Sequence, residues 1–120
     1  IELRKAGITL PIMVLNAETS TFESLINYNL EPEIFSFGIL NAFQNFLKSF
    51  GINNYPVHIK IDTGMHRLGF TADDISTLAH IISENTVLRV MTVFTHLVAS
   101  ENKNDDDFTI HQSKIFIKSC

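Results

Sequence analysis

Cysteine is almost missing from the chain: Cys120, the last residue, is the only one among 120. No intrachain disulfide can form, and a reducing compartment such as the cytoplasm suits such a sequence. Cys120 has no base beside it and reads as an incidental thiol rather than a nucleophile. Glycine is also scarce, at five residues, and no glycine-rich turn follows any strand pattern, which argues against a dinucleotide site. Nine Lys and Arg against thirteen Asp and Glu leave a formal charge of −4 and no basic patch, so a nucleic-acid partner is not expected. No apolar run approaches the roughly 20 residues of a membrane span, and no basic-plus-apolar leader begins the chain. His58, His80 and His111 lack metal-ligand spacing, and no serine-histidine-acid or cysteine-histidine set stands out.

What is present is material for a core. Hydrophobic residues make up 45 % and charged ones 18 %, which predicts one folded domain rather than disorder. The acidic charge is concentrated: Glu101 to Asp107 carries net −3, leaving −1 for the rest. Its aspartates lack a glycine-centred ligand spacing, so the stretch reads as a solvated loop rather than a metal site.

The order of elements follows from periodicity and punctuation. Ile1 to Ala6 has the look of a helix's final turn, with Arg4 and Lys5 at its negative end and Gly7 as the left-handed stop. A start inside a helix tail, at Ile1 rather than methionine, predicts that residues precede it. Leu10 to Leu15 is an apolar run expected to form a strand buried on both faces. Ser20 and Glu23 offer a capping box for a short helix through about Tyr28. Pro32 opens a second strand near Ile34 to Phe37. Ile39, Leu40, Phe43, Phe46, Leu47 and Phe50 then recur at helical spacing, and Gly51 ends that helix. The phenylalanines read as a core stripe. A third strand begins at Pro56. Thr71 and Asp74 form a capping pair, ahead of a helix with Ile75, Leu78, Ala79 and Ile82 on its apolar face. Val90 to Val98 is the fourth strand, and Phe108, Gln112 and Phe116 repeat every four residues on a last helix.

Strands starting near 11, 33, 56 and 90, each followed by one helix, have the rhythm of consecutive βα units in a parallel sheet. A doubly wound domain usually needs five strands, and four are found. An eight-stranded βα barrel takes about 250 residues, so the expected fold is α/β, about half of a TIM-type (β/α)8 barrel.

The third strand carries the chemistry. In Pro56 to Phe70, Val57, Ile59 and Ile61 alternate with His58, Lys60 and Asp62, so one face is aliphatic and the other polar. Thr63-Gly64 hands over to a turn with Met65, His66 and Arg67. Lys60 and Arg67 bring two cations to one strand end, which predicts an anion between them. If the aliphatics face helices, His58, Lys60 and Asp62 point into the barrel, where each needs a partner. His96, at the end of the next strand, lies at the same rim.

The unbroken run Lys60-Ile61-Asp62-Thr63-Gly64-Met65-His66-Arg67-Leu68-Gly69 resembles the signature of alanine racemases at every fixed position. The resemblance implies a βα barrel that binds pyridoxal 5'-phosphate at its mouth and interconverts L- and D-alanine for bacterial peptidoglycan, as a homodimer. It implies that Arg67 contacts both the cofactor and the substrate carboxylate, against the plainer reading of a turn tied to Asp62. Lys60 matches a lysine carbamylated in many members, the alternative being an ordinary lysine paired with Asp62. His96, within Phe94-Thr95-His96-Leu97, is similar to a histidine that packs on the cofactor ring; Leu97 stands where phenylalanine is common. Taken alone, His96 reads as a core histidine. Thr63, Gly64 and Leu68-Gly69 are expected to be architectural, and His66 exposed at a variable position often filled by glycine. Nothing matches the family's catalytic lysine segment, and neither Tyr28 nor Tyr55 resembles its opposing tyrosine. The chain is therefore expected to span the middle βα units and to be inactive alone. Two other readings remain: a non-catalytic half barrel that self-associates through open sheet edges, and a related racemase for serine or another amino acid.

Overall fold

Strands and helices alternate in the order α1 (Glu2–Lys5), β1 (Met13–Val14), α2 (Phe22–Asn27), β2 (Glu31–Ile34), α3 (Phe37–Ser49), β3 (Tyr55–Lys60), α4 (Ile75–Ser83), β4 (Leu88–Phe94) and α5 (Asp106–Ser119). The computed structural model describes residues 1–101 and 103–120; the side chain of Lys103 is not described. Asn102, inside the acidic stretch read above as a solvated loop, therefore lies outside the described residues. The four strands lie side by side in sequence order, every neighbouring pair parallel. A doubly wound sheet reverses its order at a switch point, whereas this one winds one way, as a barrel wall does. The radius of gyration is 15.6 Å, above the about 14 Å expected of a compact domain this long. With extents of 47 × 37 × 21 Å, the molecule is an open slab of barrel wall.

Local signals explain most boundaries. The Ser36 hydroxyl accepts the Ile39 N–H at 3.3 Å and caps α3, which stops before Gly51 at φ +65°. The Asp74 carboxylate accepts the Thr71 N–H at 2.8 Å ahead of α4. Gly7, at φ +86°, follows α1 as the expected left-handed stop.

Four expectations need correction. No capping box forms at α2, because residues 19–21 make a 3-10 turn and Ser20 sits inside it; Thr21 instead donates its hydroxyl to the Glu18 carbonyl at 2.7 Å. β1 is two residues rather than six and is not buried on both faces: Leu10 and Leu15 are 71 % and 56 % exposed. It pairs with β2 alone, so its other edge has no neighbour among the described residues. β2 ends at Ile34 because Ser36 belongs to the cap of α3. β4 ends at Phe94, where the Thr95 hydroxyl turns to the Ile61 carbonyl at 2.8 Å and the chain leaves the ladder.

The core lies between the sheet and the helices. Val57, Ile59 and Ile61 are buried with Leu40, Phe43, Leu47, Phe70 and Leu78 in one apolar cluster. Phe43 meets Phe22 and Tyr55 edge-on at 4.8 and 5.5 Å. The phenylalanine stripe is only partly core, since Phe50 faces solvent.

Candidate functional site

With Val57, Ile59 and Ile61 committed to the helices, the pleat sends His58 and Lys60 to the opposite face. Both find an acid on β2. His58 Nε2 lies 2.9 Å from Glu31 Oε2, and its Nδ1 lies 2.7 Å from Thr92 Oγ1 on β4. Nε2 must carry a proton to meet a carboxylate, so the neutral ring accepts the Thr92 hydroxyl at Nδ1. Lys60 Nζ lies 3.2 Å from Glu33 Oε1 and stands over the Phe94 ring, 5.9 Å from its centroid. Glu33 has no exposed surface, and its Oε2 accepts the Asn16 N–H at 2.8 Å. The inner face of the sheet thus pairs two acids of β2 with His58 and Lys60 of β3, and Thr92 of β4 closes the row.

Beyond Lys60 the chain makes a loop closed at its base. Asp62 N–H donates to the Phe70 carbonyl at 2.8 Å, and Phe70 N–H to the Lys60 carbonyl at 2.9 Å. Asp62 organises the loop from inside, its Oδ1 accepting the Gly64 and His66 N–H groups at 3.0 and 3.1 Å. Burial works to raise the Asp62 carboxyl, but these N–H groups, the His66 charge and the Met65 N–H outweigh it and hold it below the usual range. Gly69 is forced by space: at φ +126°, a Cβ there would lie 2.6 Å from the Asp62 nitrogen. His66 takes φ +54° with an exposed ring, which accounts for a position where glycine is at home.

A buried hydrogen-bond chain ties this loop to the one after β4. Gln112 Nε2 donates to Thr63 Oγ1 and to the His96 carbonyl, both at 3.2 Å, while its Oε1 accepts the Val98 N–H at 3.1 Å. Thr63 Oγ1 lies 2.8 Å from Thr95 Oγ1, and Thr95 gives its proton to the Ile61 carbonyl at 2.8 Å. With one proton per hydroxyl, the direction is set: Gln112 to Thr63, Thr63 to Thr95, Thr95 to the backbone. Gln112 and Thr63 are both essentially inaccessible to solvent.

The three residues singled out from the sequence occupy distinct places. Lys60 is buried on the inner face, paired with Glu33 and not with Asp62. Arg67 is exposed near the loop tip, with no hydrogen bond or ion pair to another described residue, so it is not tied to Asp62 either. His96 is exposed just past β4, held through its carbonyl by Gln112. No hydrogen bond or ion pair joins these three; what links their loops is the Thr63–Thr95–Gln112 chain. Sequence reasoning missed Glu31 and Glu33, although their period-two spacing on a strand was an available signal. The four-residue repeat put Gln112 with Phe108 and Phe116 on the last helix but gave no sign of its hydrogen bonds. Among the described residues no cluster of three or more His, Cys, Asp or Glu could hold a metal, and no helix is long and apolar enough to cross a membrane.

A parallel sheet wound in sequence order, with the acids of β2 facing His58 and Lys60 of β3, defines a segment of βα-barrel wall. The family model for the alanine racemase N-terminal domain matches residues 1–120. An alanine racemase of Clostridium perfringens is 37 % identical over 114 residues, which is 92 % of this chain and 29 % of that protein. One from Synechocystis is 33 % identical over 106 residues, or 87 % and 28 %. A solved alanine racemase of Clostridium difficile superposes with a TM-score of 0.88 at 26 % identity, covering 98 % of this chain and 31 % of that one. The chain belongs to the alanine racemase N-terminal domain family, and it spans under a third of the length of these relatives.

Proposed function

We propose that these residues form middle βα units in the barrel of an alanine racemase that interconverts L- and D-alanine with pyridoxal 5'-phosphate. The enzyme would be a cytoplasmic homodimer supplying D-alanine for peptidoglycan. The observation that carries this reading is the Asp62–Phe70 loop: the signature residues fold into a closed turn that leaves the Arg67 guanidinium exposed with no internal anion. A planar fork of donors without a partner suits a carboxylate or a phenolic oxygen. The residues present fit the cofactor in that respect, and Arg67 and His96 are the ones to hold it. When bound, the cofactor supplies an electron sink for the charge left on Cα as its proton departs.

The chain's own share of the work is positioning. Arg67 binds the substrate carboxylate and the cofactor oxygen, and the Asp62 turn fixes the backbone from which it reaches. His96 packs against the ring, its carbonyl anchored by Gln112. Lys60, neutralised by Glu33, lines the floor of the mouth. Proton transfer belongs to a lysine and a tyrosine that the family resemblance puts outside these residues. The 120-residue chain alone is therefore inert.

Two measurements test this. Grafted in place of the matching segment of the Clostridium difficile enzyme, these residues should give a hybrid that racemises alanine, followed by chiral chromatography. Arg67→Ala should cut its kcat/KM by about 10²-fold or more. A folded, cofactor-loaded hybrid that turns over serine but not alanine would move the substrate, and an inert one would sink the reading. Turnover by the isolated chain would refute the placement of the proton-transfer groups elsewhere.

A second reading has its own support. β1 and β4 are both sheet edges, and Met91 and Val93 on β4 are 43 % and 39 % exposed. Unpaired parallel edges invite pairing with another copy. The isolated chain should then elute as a dimer or larger on sizing, and a strictly monomeric folded species would exclude this.

A further inference from the structure

Glu33 is a carboxylate with no exposed surface, and its two oxygens are treated differently. Oε2 accepts the Asn16 N–H at 2.8 Å. Oε1 has no hydrogen-bond partner and lies 3.2 Å from Lys60 Nζ, whose side chain is itself nine-tenths buried. A buried oxygen of this kind is tolerated where a cation compensates it. The Phe94 ring beneath Nζ makes the same demand, because an aromatic face attracts a cation and repels an anion. Two neighbours on two different strands thus select one charge state of Lys60.

We propose that Glu33 is the built-in anion of this site and holds Lys60 as an ammonium, so that Lys60 in this chain is not carbamylated. The contrast rests on the alanine racemase reading, but the charge state of Lys60 is measurable without turnover, so the two stand or fall separately. Carbamylation needs the neutral amine. Its Nζ lone pair adds to the carbon of carbon dioxide, one N–H proton leaves to solvent, and a carboxylate replaces the positive charge. Here that carboxylate would face Glu33 and the ring of Phe94, both repulsive. The anion that a carbamate brings to the site is already supplied by β2. Glu33 is accordingly a positioning residue, acting through Lys60.

The test is ¹³C NMR of the 120-residue chain in ¹³C-bicarbonate at mildly alkaline pH. The natural sequence and Glu33→Asp, which keeps the charge, should show no carbamate resonance that Lys60→Arg removes. Glu33→Gln keeps an acceptor for Asn16 but removes the charge, and should gain one carbamate signal that disappears in Glu33→Gln/Lys60→Arg. A resonance in the natural chain that is lost in Lys60→Arg overturns the proposal. Silence in folded Glu33→Gln overturns it as well, since the block would then not come from Glu33. A second measurement needs no variant at position 33: with lysine ¹⁵N-labelled at Nζ, the Lys60 ammonium signal should keep its full intensity when bicarbonate is added. Its loss would refute the assignment even if Glu33→Gln failed to fold.

Discussion

On the outer face of β3, Tyr55, Val57, Ile59 and Ile61 join an apolar cluster with residues of α3 and α4. On the inner face of the same strand, His58 and Lys60 each meet one named acid, Glu31 and Glu33. The outer face is held by volume, and any side chain of the right size contributes in proportion to its buried area. The inner face is held by matching, where each member is tolerable only while its partner stays. A barrel can carry function inside because its polar groups are cancelled pair by pair. Arg67, in the loop beyond β3, has no such partner among the described residues.

The largest effect should come from breaking a match. Lys60→Met strands the buried Glu33 charge and should cost about 3–5 kcal/mol in urea unfolding, whereas Lys60→Met/Glu33→Gln should recover most of it. If single and double variants lose the same amount, the inner face is held by volume after all. Next in size, Ile59→Ala should cost about 2–4 kcal/mol and Ile59→Val about 1. That graded response is the outer-face signature, and a flat one would show that the helices collapse onto the sheet.

Gln112→Leu should fall below these, at about 2 kcal/mol, by orphaning the Val98 N–H and the His96 carbonyl. Its local signature is faster hydrogen exchange at the Val98 amide, with β2 and β3 protected as before. Equal loosening everywhere would mean that Gln112 supports the whole sheet rather than the two rim loops.

These contrasts also show what could be read from the chain in advance. The alternation of Val57, Ile59 and Ile61 with His58 and Lys60 is local, so the split faces of β3 were legible, as were the Thr71–Asp74 pair and the glycines at 7 and 51. The partners of Lys60 and His58 were not, because they depend on how β2 registers against β3, with Glu33 beside His58. Asp62 stood closest in sequence and was the natural candidate, but its carboxylate is consumed by its own turn. The hydrogen bonds of Gln112 were not legible either, because a four-residue repeat marks one face of a helix without saying whether that face meets oil or backbone. The exposure of β1 was hidden for a related reason: an apolar run reports the capacity to be buried, and burial needs neighbours on both sides.

The smallest effect joins the two faces. Tyr55 is the polar exception on the outer face, its hydroxyl within 2.9 Å of the Leu25 and Leu30 carbonyls, to one of which it can donate at a time. Burial, and then the negative charge of Glu31 on the inner face, push its phenol up from 10.0 to about 12. A pKa raised in the folded state means that the native chain holds the proton more tightly than the unfolded one. The resulting stability is complete below pH 10 and is lost as pH climbs toward 12. Tyr55→Phe should therefore cost about 1 kcal/mol at neutral pH, the net worth of a buried hydrogen bond. The gap between the two chains should narrow across that alkaline window, read from urea midpoints at a series of pH values. Glu31→Gln should lower the Tyr55 pKa without restoring its ordinary value, since burial is the larger cause. A gap that stays constant with pH would show that the phenol is not desolvated and that the charge on the inner face is not felt across β3.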